Sequence, residues 1–224
     1  MNEARWEKLK TFVAERTHQP LGPDDGYSLE DVRAAEQYLG LPFPEALREL
    51  YMLIGRRDEL VRGFNQLIAL ENMEWNDTDV TEEGEPYLRI WIENQSSMYL
   101  GILLDDLGEP DPVVQWISDM GNIDSNYSKY VVSENALAIV ALELTHGSPY
   151  GYLLDETDTQ REAIQKVAQP HLNPFLAGIG FKQLGDALLM NVGHYLVSAS
   201  SEQVFKATFE PFGDFTWEHL NDSH

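Results

Sequence analysis

Between two stretches of helical periodicity stands the run Gly40-Leu41-Pro42-Phe43-Pro44. Proline has no amide to donate and its ring clashes with the preceding turn, so a helix does not run through such a segment. On its N-terminal side Ser28 is placed as an N-cap with Asp31 three residues on, the shorter-acid form of a capping box. Leu29, Val32, Ala35 and Leu39 then recur on one face, and Gly40 supplies the stop. On the far side Pro44 suits a first helical position. Leu47, Leu50, Tyr51 and Ile54 follow the i, i+3, i+4, i+7 template as far as Gly55. The pattern predicts a helix hairpin with a tight, proline-braced corner.

The remaining elements are read from the same signals. Trp6, Leu9 and Val13 share a helical face, which predicts a helix over 3–15. Residues 18–26 hold Pro20, Gly22, Pro23 and Gly26 and form a connector. Three stretches look like strands: 87–93, 98–104 and 113–117. In the first, Leu88, Ile90 and Ile92 alternate with Tyr87, Arg89, Trp91 and Glu93, giving two faces of different chemistry. Asn94-Gln95-Ser96-Ser97 is the expected turn between the first two, and 105–112 is an acidic turn closed by prolines. Ser133 is expected to cap a helix carrying Leu137, Val140, Ala141 and Leu144. Past a Pro/Gly-bearing link at 147–151, residues 158–168 read as a weaker helix. The segments 187–192, 195–199 and 204–209 read as short antiparallel strands. The order predicts an α+β fold, a mixed and mostly antiparallel sheet packed by helices, in a single domain. Residues 150–224 are a β-rich extension of it or a small second unit.

Charge narrows the function classes. The chain has 224 residues with 15 Lys+Arg against 38 Asp+Glu, a net charge of -23. Residues 63–128 hold one base, Arg89, among fourteen acids. Nucleic-acid binding draws its affinity from cations that neutralise phosphates, so such a field argues against a DNA or RNA partner and for a basic protein. There is no cysteine, hence no disulfide framework or thiolate metal site. No apolar run approaches a bilayer span and the start lacks a signal core, so the expectation is a cytoplasmic protein without membrane contact.

Val32, Glu36, Leu39-Gly40-Leu41-Pro42, Leu50-Tyr51 and Gly55 resemble the opening motif of the SUKH superfamily. That group includes yeast cell-wall-synthesis regulators and bacterial immunity proteins against secreted toxins. Glu93-Asn94-Gln95, Gly101-Ile102 and Asp111-Pro112-Val113 follow in the family's order. The resemblance covers about 28–145, taken as a SUKH-like core. Two positions depart from it: Arg56-Arg57 follows Gly55 where members often have an Asn-Gly step, and Leu100 precedes Gly101 where an aromatic is common. The resemblance implies an α+β fold and a binding, non-catalytic role. It leads to an immunity protein that occludes the active site of a basic, nuclease-type toxin. A housekeeping regulatory module of the same fold and a carboxylate-based hydrolase are the alternatives.

Glu93, Asn94, Gln95, Asp105, Asp106, Glu109 and Asp111 are the candidate partner-binding residues, the acids as an imitation of phosphate before a basic cleft. Trp91, Trp116 and Tyr99 are candidate aromatic anchors, since Trp and Tyr are enriched among interface hot spots, with core or half-core strand residues as the other and favoured reading. Glu36, Gly40, Pro42, Gly55, Gly101 and Pro112 are assigned to structure, with Glu36 bonding a backbone amide or an arginine near the corner. No catalytic constellation emerges. Glu143-x-x-His146 lacks the second histidine of a zinc protease, and Gly178-Ile179-Gly180 lacks the third glycine of a dinucleotide fingerprint. Neither a metal nor a cofactor is called for.

Overall fold

Ser28 and the proline corner set the geometry of the N-terminal helices. The computed structural model describes residues 1–63, 65–73, 80–81, 84–93, 96–124, 129–147, 151–176, 179–191 and 194–220, with the main chain alone at 171–176, 179–180 and 219. Helix α1 (Glu3–Thr17) buries Trp6, Leu9, Phe12 and Val13 and ends at His18 in the left-handed region. Helix α2 (Leu29–Leu39) starts on a complete capping box, Ser28 Oγ accepting the Asp31 amide at 3.1 Å and the Ser28 amide donating to Asp31 Oδ2 at 3.0 Å. It stops at Gly40, whose φ of 69° is costly for any residue with a Cβ. Helix α3 (Glu45–Ile54) begins one residue later than the sequence suggests. Pro44 is extended, with ψ 152°, and occupies the N-cap instead of the first turn. Glu36 closes the corner by accepting the Phe43 amide at 2.6 Å and Arg48 Nε at 2.8 Å, while Pro42 lies exposed at its tip. Gly55 follows α3 in an ordinary right-handed conformation, so space and not φ excludes a side chain: a Cβ there would stand 2.7 Å from the Tyr27 ring. A short helix α4 (Asp58–Val61) completes the set.

The chain divides into two compact units, Met1–Glu143 and Leu144–His224. In the first, β1 (Asn65–Leu67), β2 (Tyr87–Glu93), β3 (Met98–Leu103), β4 (Val113–Ser118) and β5 (Tyr130–Val131) form an antiparallel sheet in that spatial order. The simple alternation expected along β2 does not hold. The register shifts between Arg89 and Trp91, leaving Ile90 as an extra residue. Leu88 then opposes Ile102, and Trp91 opposes Leu100, which opposes Trp116 in β4. A bulge of this kind reverses the facing of everything after it, so Leu88 and Trp91 share one side although three residues apart. All of Leu88, Ile90, Trp91, Leu100 and Ile102 are fully buried. Gly101 is held by packing: a Cβ would meet the Tyr87 ring at 2.5 Å.

The β3–β4 connection turns through a short 3-10 helix, Leu104–Asp106, and leads to helix α5 (Val132–His146) by way of β4 and β5. Its shape is fixed at several points. The Leu104 amide donates to Pro86 O at 2.9 Å, the Ala46 amide to Pro110 O at 2.9 Å, and Leu107 is buried. Pro112 O accepts the Val132 amide at 3.0 Å. Ser133 is inside α5 and does not cap it. Asp111 does that work from outside, accepting the Ser133 amide at 3.1 Å and its hydroxyl at 2.6 Å.

The second unit is a six-stranded antiparallel sheet ordered β11-β6-β10-β9-β8-β7, numbered β6 (Gly151–Asp155), β7 (Gln169–Leu176), β8 (Ile179–Leu184), β9 (Ala187–Asn191), β10 (Tyr195–Ser198) and β11 (Thr216–His219). Helices α6 (Asp158–Val167) and α7 (Glu202–Phe209) supply Ile164, Phe205 and Phe209 to a core with Tyr152, Leu154, Leu189, Tyr195 and Val197. The expected strand over 204–209 is a helix. Ser201 Oγ accepts the Val204 amide at 3.1 Å, and Phe205 and Phe209, four apart, both point inward. A strand would place them on the same face too, so spacing alone did not decide; the cap did.

Within the first unit, Glu49 is the most deeply placed acid of the N-terminal helices, 4% exposed. It accepts Trp6 Nε1 at 2.8 Å, Arg5 Nη1 at 2.5 Å and the Asn2 amide. Burial pushes its pKa upward, but these donors outweigh burial and hold it below the usual carboxylate range. A depressed folded-state pKa contributes stability above the unfolded value, near 4.3, and that stability is lost as pH falls through the folded value. Glu49→Gln is therefore expected to cost about 3 kcal/mol at neutral pH, because it leaves the Arg5 guanidinium without its closest partner. The gap between variant and parent should shrink on acidification, as urea unfolding at neutral and acidic pH will report. Asp111→Ala is expected to cost about 1–2 kcal/mol by removing the cap of α5, with Asp111→Asn recovering part of the loss in the same assay.

Candidate functional site

Strand β3 separates the two groups of polar residues singled out in the sequence. Glu93 lies at the end of β2 that faces Met98, and Asp105, Asp106 and Glu109 lie beyond Leu103 at the other end. Six strand residues at about 3.3 Å each put them roughly 20 Å apart, so they do not form one patch. Glu93 is half-buried and accepts Ser97 Oγ at 3.3 Å; Asn94 and Gln95 lie outside the described residues.

The acidic loop itself divides by function. Asp111 is committed to α5 and also lies 3.5 Å from Arg5 Nε, with its side chain 22% exposed. It is not a free surface acid. Asp105 and Glu109 are exposed and Asp106 is half-buried, and none of the three carboxylates has an ion pair or side-chain hydrogen bond among the described residues. The fixed main chain of the loop thus presents three uncompensated negative groups. Their neighbours on the helices differ: Glu36 is paired with Arg48, and Glu45 and Glu49 with Arg5.

Trp91 and Trp116 cannot serve as interface anchors. They are 0% and 4% exposed, on the side of the sheet that also carries Leu88, Leu100 and Ile102. The core placement is the one the sequence favours, and the bulge is what brings Trp91 to the side of Leu88. Tyr99 remains half-buried, its ring 3.9 Å from the Arg89 guanidinium carbon in a cation–π contact.

A second surface feature escaped the sequence reading. Tyr27, Asp31, Tyr38, Arg56, Leu70 and Glu71 line an open groove of about 680 Å³ beside α2. Arg56 lies 4.7 Å above the Tyr27 ring and 3.2 Å from Asp31, and Tyr27 donates its hydroxyl to Glu71 at 2.9 Å. Burial, with the Glu71 hydrogen bond behind it, pushes the Tyr27 phenol above its ordinary range. Tyr38 stands 81% exposed on the outer side of α2. An aromatic on the polar side of an amphipathic helix was the available signal. The charges here are satisfied locally, which distinguishes this groove from the acidic loop.

Among the described residues no group of three or more His, Asp or Glu side chains is arranged to hold a metal ion. No described helix is long and apolar enough to cross a membrane. What the unit offers is a rigid, partly uncompensated acidic surface.

Comparison with known proteins agrees with this description. The model of the SMI1 / KNR4 family (SUKH-1) matches residues 26–138, half of the chain. No curated protein and no solved structure matches it significantly. The matched region runs from the connector before α2, through the hairpin and β2–β4, into α5. Proteins of this family are non-catalytic interaction modules. With its capping-box helix, proline corner and antiparallel sheet in the matched order, the chain belongs to the SMI1/KNR4 (SUKH-1) family.

Proposed function

We propose that the chain acts as an immunity protein, binding a basic toxin domain and covering its active site. The observation that carries this reading is the loop bearing Asp105, Asp106 and Glu109. Its carboxylates have no compensating charge, its main chain is held by Pro86, Ala46 and buried Leu107, and it belongs to a chain of net charge -23. A cleft that binds nucleic-acid phosphates is cationic. A preset row of carboxylates meets it without an ordering cost, and long-range attraction speeds the encounter. The family role as an interaction module supports the reading. Glu93, with Asn94 and Gln95 beside it in sequence, lies too far along β3 to share the same contact and would form a separate edge of a larger interface.

The test asks whether a gene beside this one encodes a secreted toxin domain, and takes that domain as the partner. Co-expression should restore growth of cells carrying that toxin, and the purified pair should bind more weakly as salt rises from about 50 to about 500 mM. The triple substitution Asp105→Asn, Asp106→Asn, Glu109→Gln should weaken binding by about tenfold or more while leaving the unfolding midpoint unchanged or raised. Full affinity in that variant overturns the loop's role. Absence of any toxin complex, with capture of the cell's own proteins instead, makes the chain a housekeeping module.

A further inference from the structure

The two edges of the second unit's sheet are unlike each other. Strand β7 carries Pro170 and Pro174, and proline removes the donors that an added strand would need. Strand β11 has no proline and pairs only with β6 among the described residues. The Leu220 amide donates to Gly151 O at 3.0 Å, which sets the phase of that ladder. With Thr216 opposite Asp155 and Glu218 opposite Leu153, the amides and carbonyls of these two face β6. Those of Trp217 and His219 therefore face away from the sheet, and no described group bonds to them.

A recess lies beside this open edge. Phe205, Phe209, Phe215 and Trp217 line about 560 Å³ between β11 and α7. Trp217 is 38% exposed, its ring edge-on to Phe205 at 5.3 Å. Glu210 and Asp214 line the recess together with Lys206, which is paired with Glu202, while Asp155 and Glu218 stand on the sheet face opposite Trp217; the four acids are exposed and have no ion pair among the described residues.

From this edge, recess and charge we infer that β11 is a second interaction site, which takes an extended basic segment of another protein as an added strand. The main-chain groups of Trp217 and His219 would supply the pairing, and an apolar side chain of the segment beside Trp217 would fill the aromatic recess. Lysines or arginines two residues from that side chain would share its face with Glu210 and Asp214, and those directly next to it would face Asp155 and Glu218. A second copy of the chain does not fit, because two such edges would bring like charges together across an antiparallel pair. The same carboxylates keep the edge from pairing with itself and select for a partner of opposite charge. This site lies outside residues 26–138 and is independent of the acidic loop of the first unit.

The experiment titrates the full chain with a labelled peptide, Lys-Thr-Lys-Lys-Phe-Lys-Lys-Thr-Lys, which presents lysines on both faces of the strand, and reads fluorescence anisotropy and amide hydrogen exchange. Binding should slow exchange at Trp217 and His219, and the peptide with Glu for each Lys should bind about tenfold more weakly or not at all. His219→Pro removes one outward donor without touching the β6 ladder and should weaken binding by about tenfold. Asp214→Lys with Glu218→Lys, both at exposed positions, should weaken it by about fivefold at low salt, with the difference fading at high salt. No binding of the basic peptide below about 1 mM, unchanged exchange in β11, or undiminished affinity in His219→Pro would each overturn the inference.

Discussion

Arg5 reaches three carboxylates from two parts of the chain, Glu45 and Glu49 of α3 and Asp111 of the β3–β4 connection. The rest of the first unit depends on that double engagement. Through Glu49 it fixes α1 against α3, with Trp6 Nε1 on the same carboxylate. Through Asp111 it touches the residue that caps α5. A charge in a half-buried place is tolerated only when donors and acceptors are matched, and here one guanidinium serves helix, loop and cap at once. The hairpin of α2 and α3 repeats the device on a smaller scale, Glu36 joining the Phe43 amide and Arg48.

Against that background the distribution of pairing is more informative than net charge. The bases of the N-terminal helices are largely spent on neighbouring acids: Arg48 on Glu36, Arg56 on Asp31, Arg57 on Asp25 and Glu59, Arg62 on Asp58. Past β1 the supply of cations fails, since 63–128 has Arg89 alone. Asp105, Asp106 and Glu109 are left unmatched because no base is within reach in sequence or, among the described residues, in space. Asp111 escapes this only because Arg5 comes to it from the first helix. Uncompensated charge is thus an outcome of where arginine and lysine were placed along the chain.

The helix hairpin was legible because its signals are local: a serine cap, a glycine stop and prolines whose covalent geometry allows few alternatives. The acidic loop was legible as a loop for the same reason. The phase of β2 was not: strict alternation sets Trp91 against Leu88, and the shift at Ile90, visible only in the register with β3, puts the two on one side. Likewise Asp111 could not be told from Asp105 by residue type; only the arrival of Ser133 and Arg5 distinguishes them. In the second unit the run at 204–209 is rich in residues that suit strands, and Ser201 overrode that preference through a single cap. Strands β6, β7, β8 and β11 are not among the strands the sequence predicts, although the exposed Trp217 marks the last of them.

Carboxylates held near one another with nothing to offset them raise the free energy of the native state itself. Any cation that settles on 105–109 relieves that repulsion and is, by mass action, a stabiliser of the fold as well as its ligand. The melting temperature of this protein should then be a property of the solution as much as of the chain, rising with magnesium, polyamines or a polycation in order of their affinity.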